Sequence, residues 1–271
     1  MKLCVLGSGS RGNAILMQAG STRILIDAGF APRTIGRRLE MVGVAPQSIS
    51  AVVVTHEHID HSRGAAGAAA RWGWTVFATA GTVGACLDLA ETPVQSIGMT
   101  GHFSIDDFEI DTVRTSHDAD EPVAVVATCR ETGARAAIVY DLGVMTENVH
   151  RAVDRCDVLV MESNHDPEML RNGPYPWVLQ RRIASRHGHL SNHSAAIATS
   201  RCVHRDLRHV VLAHLSEVNN TPEIAGGAMR DALRRTTFRG QVTSAVQDFP
   251  SATVGLAGSR RFVPVQLSLG L

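Results

Sequence analysis

The run "VVVTHEHIDH" places four potential metal ligands, His56, His58, Asp60 and His61, within six positions. They follow an apolar stretch that is typical of a buried β-strand. His56 and His58 are two residues apart, so in an extended backbone their imidazoles point to the same side. Burying three imidazoles and a carboxylate without partners would cost several kcal/mol. The cluster therefore predicts a metal site rather than ordinary surface or core side chains.

Four other strand-like runs end at residues of the same kind. "TRILID", "TVRTSH", "AAIVYD" and "VVLAH" end at Asp27, His117, Asp141 and His214. Imidazoles and carboxylates suit zinc, manganese or iron. With Asp27 left aside, five histidines and two aspartates remain, which is too many for one tetrahedral zinc ion and predicts two metals that share a carboxylate. The isolated histidines interpreted as ordinary side chains are His102, His150, His204 and His209.

The elements that must hold these residues are short apolar runs and helical patterns. Three strand-like runs open the chain, and later strands alternate with helices such as "RGAAGAAARWG" and the serine-capped "SNHSAAIATSRCV". This order predicts two sheets covered by helices, an α/β sandwich. Because the sequence shows no internal repeat, linker or charge block, we expect one domain over residues 1–271. The tail from Pro250 has weak periodicity and is assigned no element.

Composition restricts the class of protein. The 26 basic and 26 acidic residues cancel, so the strong basic field typical of nucleic-acid-binding proteins is absent in bulk. Five scattered cysteines without a CxxC pair indicate free thiols in a reducing compartment. The chain shows no secretory leader, and no apolar run approaches the roughly 18 residues of a membrane span. We therefore expect a cytoplasmic protein with no membrane partner and leave its oligomeric state open.

The "THEHIDH" segment resembles the HxHxDH signature of the metallo-β-lactamase superfamily. The strand-end residues follow in that superfamily's order, so the resemblance spans nearly the whole chain. It implies an αββα sandwich in which Asp141 bridges two metals and Asp27 lies behind the ligands, holding their loop. The implied ligands are His56, His58 and His117 for one metal, and Asp60, His61 and His214 for the other.

Further segments narrow the resemblance to the YycJ/WalJ-type hydrolases, exonucleases of the same superfamily. These segments are "GSGSRGNA", "SHDADEPVA", "ESNHDPEML", "GPYPWVLQRRI", "GHLSNHSAA" and "LAHLSEVNN". "GHLSN" and "ES" also resemble motifs of ribonuclease Z, which implies an auxiliary catalytic pair of Glu162 and His189. Only 72 residues separate Asp141 from His214, too few for the large β-CASP insertion of some related nucleases. The sequence also lacks a Gly/Pro-rich arm of the kind that grips transfer RNA.

The resemblance implies a metal-dependent phosphodiester hydrolase, foremost a nuclease or exonuclease acting on DNA or RNA. Two divalent ions (zinc or manganese, or else iron) about 3.5–4 Å apart would bridge a water, convert it to hydroxide near neutral pH and neutralise phosphate charge. Asp60 is assigned a catalytic as well as a ligand role. His189, oriented by Glu162, is assigned the proton donation to the leaving oxygen; the alternative for His189 is a loop histidine that caps a helix.

Two other functions stay open at this point. One is the hydrolysis of a small molecule, such as a cyclic phosphodiester or, less favoured, a thioester or lactam. The neutral net charge favours this alternative slightly. The other is a metal or redox sensor without turnover, against which the complete ligand set argues.

Residues near these motifs offer contacts for a substrate. The glycine-rich "GSGSRGNA" could cradle a phosphate with its amides or form a tight turn. Tyr175 and Trp177 could stack on bases, and the neighbouring arginines could bind phosphates. "PWVLQRRI" is equally typical of an ordinary amphipathic helix, and His165 with Asp166 could cap the helix that starts at "PEML". The residues predicted to contact substrate are Ser10, Asn13, Asn164, His165, Ser191 and Asn192.

Overall fold

The structure is a computed structural model that describes residues 1–256, and its strands form two seven-stranded sheets. Sheet 1 contains β1 (Lys2–Gly7), β2 (Ala14–Ala19), β3 (Thr22–Ile26), β4 (Ala51–Val53), β5 (Thr75–Thr79), β6 (Val94–Ile97) and the last described strand, β14 (Val254–Gly255). Sheet 2 contains β7 (Gly101–Ile105), β8 (Phe108–Arg114), β9 (Val123–Cys129), β10 (Arg135–Val139), β11 (Val158–Glu162), β12 (His209–Ala213) and β13 (Gln241–Ser244). Residues 257–271, at the end of the proposed domain, lie outside the described residues.

Each sheet is antiparallel on one side and parallel on the other. Sheet 1 has the order β14-β1-β2-β3-β4-β5-β6, and its pairing changes to parallel from β3 onward. Sheet 2 has the order β13-β12-β11-β10-β9-β8-β7, and β10 to β13 are parallel. Parallel neighbours end at the same edge of a sheet, which is why polar residues that follow separate strands can meet there.

Ten α-helices occur in the described residues, and several of them cover the outer faces of the sheets. They are α1 (Pro32–Met41), α2 (Ile59–Ser62), α3 (Ala65–Trp72), α4 (Ala80–Ala85), α5 (Leu87–Ala90), α6 (Glu147–Ala152), α7 (Pro167–Asn172), α8 (Trp177–Ile183), α9 (Asn192–Arg201) and α10 (Pro222–Leu233). Helices α1 and α3 pack on sheet 1, whereas α6, α9 and α10 pack on sheet 2. The predicted αββα sandwich is thereby confirmed. Within residues 1–256, we find no helix with the length and apolarity needed to cross a membrane.

The core is divided by the two sheets into three apolar layers. Along β2, Ile15 and Met17 point into the layer between the sheets, while Leu16 points outward under the helices. Along β9, Val125 lies in the central layer and Val126 in the layer beneath α6, α9 and α10. Because successive side chains of a strand point to opposite faces, strands buried on both faces appear in the sequence as continuous apolar runs.

Helix α8 departs from the expected amphipathic helix. It forms at "WVLQRRI" as predicted, but none of its residues is buried by the described part of the protein. Trp177 is 65% exposed and Val178 73% exposed. Its apolar side chains therefore do not pack into the core, in contrast to those of α9 and α10.

Candidate metal centre and active site

The strand-end residues from both sheets converge at one edge of the sandwich. Asp27, Asp141 and His214 follow β3, β10 and β12, and all three have left-handed backbones, with φ of 61°, 52° and 54°. Residues other than glycine adopt this conformation rarely. It persists where surrounding contacts hold it in place, and it is common at functional sites. The sharp turn after each strand thus belongs to the construction of the site.

Three imidazoles form the first ligand group. Ring nitrogens of His56, His58 and His117 all lie within 4.8 Å of one another. The Nε2 atom of His117 is 3.2 Å from Nδ1 of His58. The other ring nitrogen of His117, Nδ1, lies 3.1 Å from the carbonyl oxygen of Gly188, to which it can donate. That hydrogen bond leaves Nε2 unprotonated and able to bind a metal.

A second group lies beside the first and contains Asp60, His61, Asp141 and His214, whose potential ligand atoms also lie within 4.8 Å of one another. Asp60 Oδ2 is 3.4 Å from His61 Nε2 and 3.2 Å from His214 Nε2. Asp60 and His61 belong to the short helix α2, which follows β4 of sheet 1. They face His214, which follows β12 of sheet 2. Two carboxylates with two imidazoles are a donor set that suits a divalent transition metal.

Asp141 lies between the two groups. Its Oδ2 atom is 3.3 Å from Nε2 of His56 and 2.6 Å from Nε2 of His61. In the described residues, neither His56 Nε2 nor Asp141 Oδ1 has a hydrogen-bond partner of good geometry, although two imidazole nitrogens lie 3.2 and 3.3 Å from that oxygen. Buried polar atoms rarely stay unpaired. The donors around these unpaired atoms therefore fit the binding of divalent cations.

Asp27 holds the ligand cluster from behind. Its Oδ1 accepts a hydrogen bond from the Thr55 amide at 2.7 Å, and its Oδ2 accepts from the Thr55 hydroxyl at 2.9 Å. The same Oδ2 accepts from Tyr140 Oη at 2.6 Å and lies 2.7 Å from Nδ1 of His61. Thr55 Oγ1 in turn lies 3.0 Å from Nδ1 of His56. One buried carboxylate thereby orients two of the imidazoles.

Thr55 and Tyr140 are the residues of the site that sequence reasoning missed. Each directly precedes a predicted ligand, His56 and Asp141 respectively. Threonine and tyrosine are not common metal ligands, so a pattern of ligand-type residues does not include them. The signal available in the sequence is position alone, since a polar side chain next to a strand-end ligand has few places to point other than the site.

The predicted pair of Glu162 and His189 lies against the second group. His189 Nδ1 is 2.7 Å from Glu162 Oε1, and Glu162 Oε2 accepts hydrogen bonds from the amides of Leu142 and Leu190 at 3.1 Å. Potential ligand atoms of Glu162 and His189 also lie within 4.8 Å of those of Asp141 and His214. The short Glu162–His189 contact favours a carboxylate-oriented imidazole over two further ligands.

Burial and local charges set the protonation of these groups. Burial lowers the pKa of His56, so its imidazole is neutral, as a metal ligand must be. Burial also opposes the protonation of His189, but the carboxylates of Glu162 and Asp141 together outweigh it and raise the pKa of His189 well above its usual range. Burial favours protonated Glu162, but His189 and His214 together outweigh this effect and lower the pKa of Glu162 to about 2. The pair therefore exists as a carboxylate and an imidazolium.

Part of this cluster, including His58, Asp141 and His189, lines an open cleft of about 260 Å³. Asp118 and Arg182 on its wall form an ion pair, with Asp118 Oδ2 2.7 Å from Arg182 Nε. Helix α8 forms one side of the cleft through Leu179, Arg182 and Ile183. The complete lining is Ser10, His58, Asp60, His117, Asp118, Asp141, Tyr175, Leu179, Arg182, Ile183, Gly188, His189 and His214.

The residues predicted to contact substrate lie in different places. Ser10 lines the cleft, whereas His165 lines a second cavity beyond α8. Ser191 is the N-cap of α9, and Asp166 is the N-cap of α7. The remaining three, Asn13, Asn164 and Asn192, are buried and hydrogen-bonded within the protein. Their contact with substrate stays a prediction.

The glycine-rich loop after β1 has the geometry of a tight turn. The amide of Gly9 donates to the Asn13 side chain, that of Arg11 to the Gln247 side chain, and that of Gly12 to the Gly9 carbonyl. Gly12 has a φ of 153°, and a Cβ atom there would stand 2.7 Å from the ring of Phe30. Since these amides already donate within the protein, the geometry favours the turn over a phosphate cradle.

The chain is similar to known proteins of the metallo-beta-lactamase superfamily. The family model of the metallo-beta-lactamase superfamily matches residues 7–141. Exodeoxyribonuclease YycJ of Bacillus anthracis is 32% identical over 240 residues, which cover 86% of this chain and 89% of that protein. Exodeoxyribonuclease WalJ of Streptococcus pneumoniae is 31% identical over 240 residues, covering 86% and 88%. The metallo-beta-lactamase fold protein YhfI of Bacillus subtilis superposes with a TM-score of 0.70 at 17% identity, covering 92% of this chain and 98% of YhfI.

Proposed function

The chain belongs to the metallo-β-lactamase superfamily, and we propose that it is a metal-dependent nuclease, specifically an exonuclease of DNA. The observation that carries this proposal is the identity of 31–32% over 240 residues to two exodeoxyribonucleases. The arrangement of the cleft supports it, because two potential metal sites and a carboxylate-oriented imidazolium share one opening.

We further propose two divalent ions, zinc or manganese with iron as the third choice, as the cofactors. His56, His58 and His117 would hold one ion, and Asp60, His61 and His214 the other, with Asp141 shared. Such ions generate hydroxide from water near neutral pH and neutralise charge on a phosphodiester. Support for this assignment comes from the unpaired His56 Nε2 and Asp141 Oδ1 atoms, which lie where a cation would satisfy them.

The chain's own side chains supply positioning and proton transfer. Asp27 fixes His61 directly and His56 through Thr55, so the ligands are oriented before any metal binds. His189 lies at the cleft with Nδ1 held by Glu162, and as an imidazolium it can protonate the leaving oxygen of a cleaved phosphodiester. Glu162 stabilises the charged ring before the transfer and keeps its orientation afterwards. Asp60 borders the cleft and His214, where it can also orient water.

The nuclease proposal is tested with a panel of substrates on one metal-loaded preparation. Labelled single- and double-stranded DNA and RNA are incubated with Mn²⁺ or Zn²⁺, and bis(p-nitrophenyl) phosphate serves as a small diester. We expect progressive shortening of DNA from one end and release of mononucleotides. If only the small diester is hydrolysed, the protein is a small-molecule phosphodiesterase instead. Tight metal binding without turnover of any substrate would indicate a sensor.

The division of roles among the site residues is tested by two variants. His58→Ala removes a proposed ligand, so metal content and turnover should both fall. His189→Ala removes the proposed proton donor, so metal content should stay while kcat falls by about 10²–10⁴-fold. Metal content is measured by inductively coupled plasma mass spectrometry on the same samples. Equal metal loss in both variants would contradict the assignment of His189.

We also propose a cytoplasmic location. All five cysteines are free, and Cys4, Cys129 and Cys156 are buried. Free thiols are typical of reducing compartments. A fractionation experiment with a tagged chain, in which the protein follows a cytoplasmic marker, tests this proposal.

A further inference from the structure

Helix α8 separates the catalytic cleft from a second cavity. Its residues at positions 179, 182 and 183 line the cleft, whereas those at positions 177, 180 and 181 line the second cavity. Each set has the i, i+3, i+4 spacing of one helical face. Since no residue of α8 is buried in the described structure, both faces of this helix are directed at space that a ligand can occupy.

The second cavity has a volume of about 350 Å³ and a mainly apolar wall. This size is within the range of pockets that hold small ligands. Two arginines, Arg171 and Arg181, stand on its lining, and no acidic residue does among the residues described. The full lining is His165, Pro167, Leu170, Arg171, Trp177, Gln180, Arg181 and Ala184.

Trp177 presents an exposed aromatic side chain to this cavity. The indole is 65% exposed although it is the largest apolar side chain of the helix. The guanidinium carbon of Arg181 lies over the indole, 4.7 Å from its centroid, so a cation already stacks on one side of the ring. An exposed aromatic face next to arginine is the arrangement on which unpaired nucleobases stack, each with about 1–3 kcal/mol.

His165 adds a polar group to the same cavity. Its side chain is 3% exposed, and within the described residues its Nδ1 atom has no hydrogen-bond partner. Burial lowers the pKa of this imidazole to about 4, so it is neutral at physiological pH. A buried polar atom left unpaired destabilises the protein unless a ligand satisfies it. The edge of a nucleobase carries the donors and acceptors that could do so.

We propose that this cavity binds one unpaired base of the nucleic-acid strand whose phosphodiester lies in the catalytic cleft. The base stacks on Trp177, its edge meets His165, and Arg171 and Arg181 contact the adjoining phosphates. The inference rests on the proposed nuclease function and makes it more specific, because it requires a single-stranded segment next to the site of cleavage. The strand crosses α8, which with its side chains is roughly 10 Å wide, so the bound base is only a few nucleotides from the cleaved bond.

Binding without cleavage separates this inference from the activity itself. Labelled single-stranded DNA is titrated into the His189→Ala protein and followed by fluorescence anisotropy. Adding Trp177→Ala should raise Kd by about 5- to 150-fold, the loss of one stacked base. Trp177→Phe keeps an aromatic ring and should restore most of the affinity. Val178→Ala, at an exposed neighbour that lines neither cavity, should leave Kd within about twofold of the starting protein.

A walk of single abasic nucleotides along the same oligonucleotide identifies the bound base. In the protein with Trp177, one position should weaken binding about as much as Trp177→Ala does. In the Trp177→Ala protein, the abasic nucleotide at that position should add no further loss. An equal abasic penalty with and without Trp177, or equal Kd values for Trp177→Ala and Val178→Ala, would overturn the inference. Failure of the nuclease proposal appears separately, as absence of DNA cleavage by the unaltered protein.

Discussion

Asp27 is the single residue on which the orientation of the imidazoles depends most. It accepts four hydrogen bonds, one from the Thr55 amide and three from the side chains of Thr55, His61 and Tyr140. The distance to Nδ1 of His61 is 2.7 Å. Asp27→Asn keeps the shape but replaces one acceptor oxygen with a donor, so either the Thr55 amide at Oδ1 or the donors at Oδ2, His61 among them, lose their acceptor. We expect metal affinity to fall by about 10–100-fold, the usual cost of losing such a supporting group. Competition with a chromophoric chelator measures the affinity.

Tyr140→Phe is the matched control for that prediction. It removes the 2.6 Å hydrogen bond to Asp27 Oδ2 but leaves the contacts of Asp27 with Thr55 and His61. Its effect on metal affinity should therefore be clearly smaller than that of Asp27→Asn. If both variants lose the same affinity, the hydrogen bond from Tyr140 rather than the orientation of His61 supports the site.

The pKa of His165 predicts a loss of stability in acid. Burial lowers its pKa to about 4, whereas an unfolded histidine has a pKa of about 6.5. Between these values the unfolded chain binds more protons than the folded one, so the free energy of unfolding falls as pH drops from about 6.5 to 4. The contribution is at most about 3 kcal/mol. His165→Gln removes it, so the variant should lose less stability than the unaltered protein over this range in urea titrations.

His102 provides a control of the opposite sign. Hydrogen bonding to Asp111 raises the pKa of this exposed imidazole, with Glu109 as a further neighbour. Its contribution to stability is therefore present at acidic pH and disappears as pH rises through the folded pKa. His102→Gln should destabilise the protein slightly at pH 5 but not at pH 8. If the two variants shift the pH profile in the same direction, burial of His165 is not the cause.

At the scale of elements, the convergence of strand ends could be predicted from sequence, but the backbone at those ends could not. Apolar runs that end in Asp141 or His214 identify parallel strands, whose ends meet at one edge of a sheet. The left-handed conformation of Asp27, Asp141 and His214 could not be predicted from residue type, because aspartate and histidine adopt it more often than most residues but still rarely. Tertiary contacts impose it.

The packing of α8, two edge strands and two buried asparagines could not be predicted from the local sequence, because each depends on residues far away in the chain. The sequence of α8 has the pattern of an amphipathic helix, yet whether its apolar side chains meet the core or a cavity depends on distant elements. Strands β6 and β13 are partly exposed edge strands with weak alternation and gave no clear signal. Asn164 and Asn192 are polar residues next to the motifs, and only the fold shows that their amides hold loops together.

Helix α9 ties the segment that carries His189 to sheet 2. Ser191, two residues after His189, is the N-cap of this helix. Its hydroxyl oxygen accepts a hydrogen bond from the Ser194 amide at 3.2 Å. Ser191→Ala removes the cap and should lower the free energy of unfolding by about 1 kcal/mol, measured by chemical denaturation. Metal content should not change, since Ser191 contacts no proposed ligand.

Ser191→Asp distinguishes the cap from a substrate contact. Aspartate caps helices about as well as serine, so stability should return to that of the unaltered protein. If Ser191 instead contacts the DNA backbone, the added negative charge should raise KM for DNA several-fold and have a much smaller effect on KM for bis(p-nitrophenyl) phosphate. A stable Ser191→Asp protein with unchanged KM supports the cap alone.

At the scale of the whole molecule, the two sheets are joined by the apolar layer between them and by the candidate metal centre. Sheet 1 and the loop after β4 supply His56, His58, Asp60 and His61, whereas sheet 2 supplies His117, Asp141 and His214. Each proposed ion therefore has ligands from both sheets. A bound cation would act as a cross-link at the edge where burial of apolar side chains ends.

Metal removal should therefore lower the stability of the whole molecule rather than of one loop. A ligand that binds only the folded state adds about 2.7 kcal/mol when its free concentration is 100 times its Kd. For a chain of this size, such a loss corresponds to a decrease in Tm of roughly 5–10 °C. Calorimetry before and after EDTA treatment, with metal content verified, should show one transition that moves to lower temperature.

Asp141→Ala, which removes the carboxylate shared by both groups, should show a smaller shift on the same treatment. An unchanged Tm after complete removal of the metals would mean that the ligands do not link the two sheets.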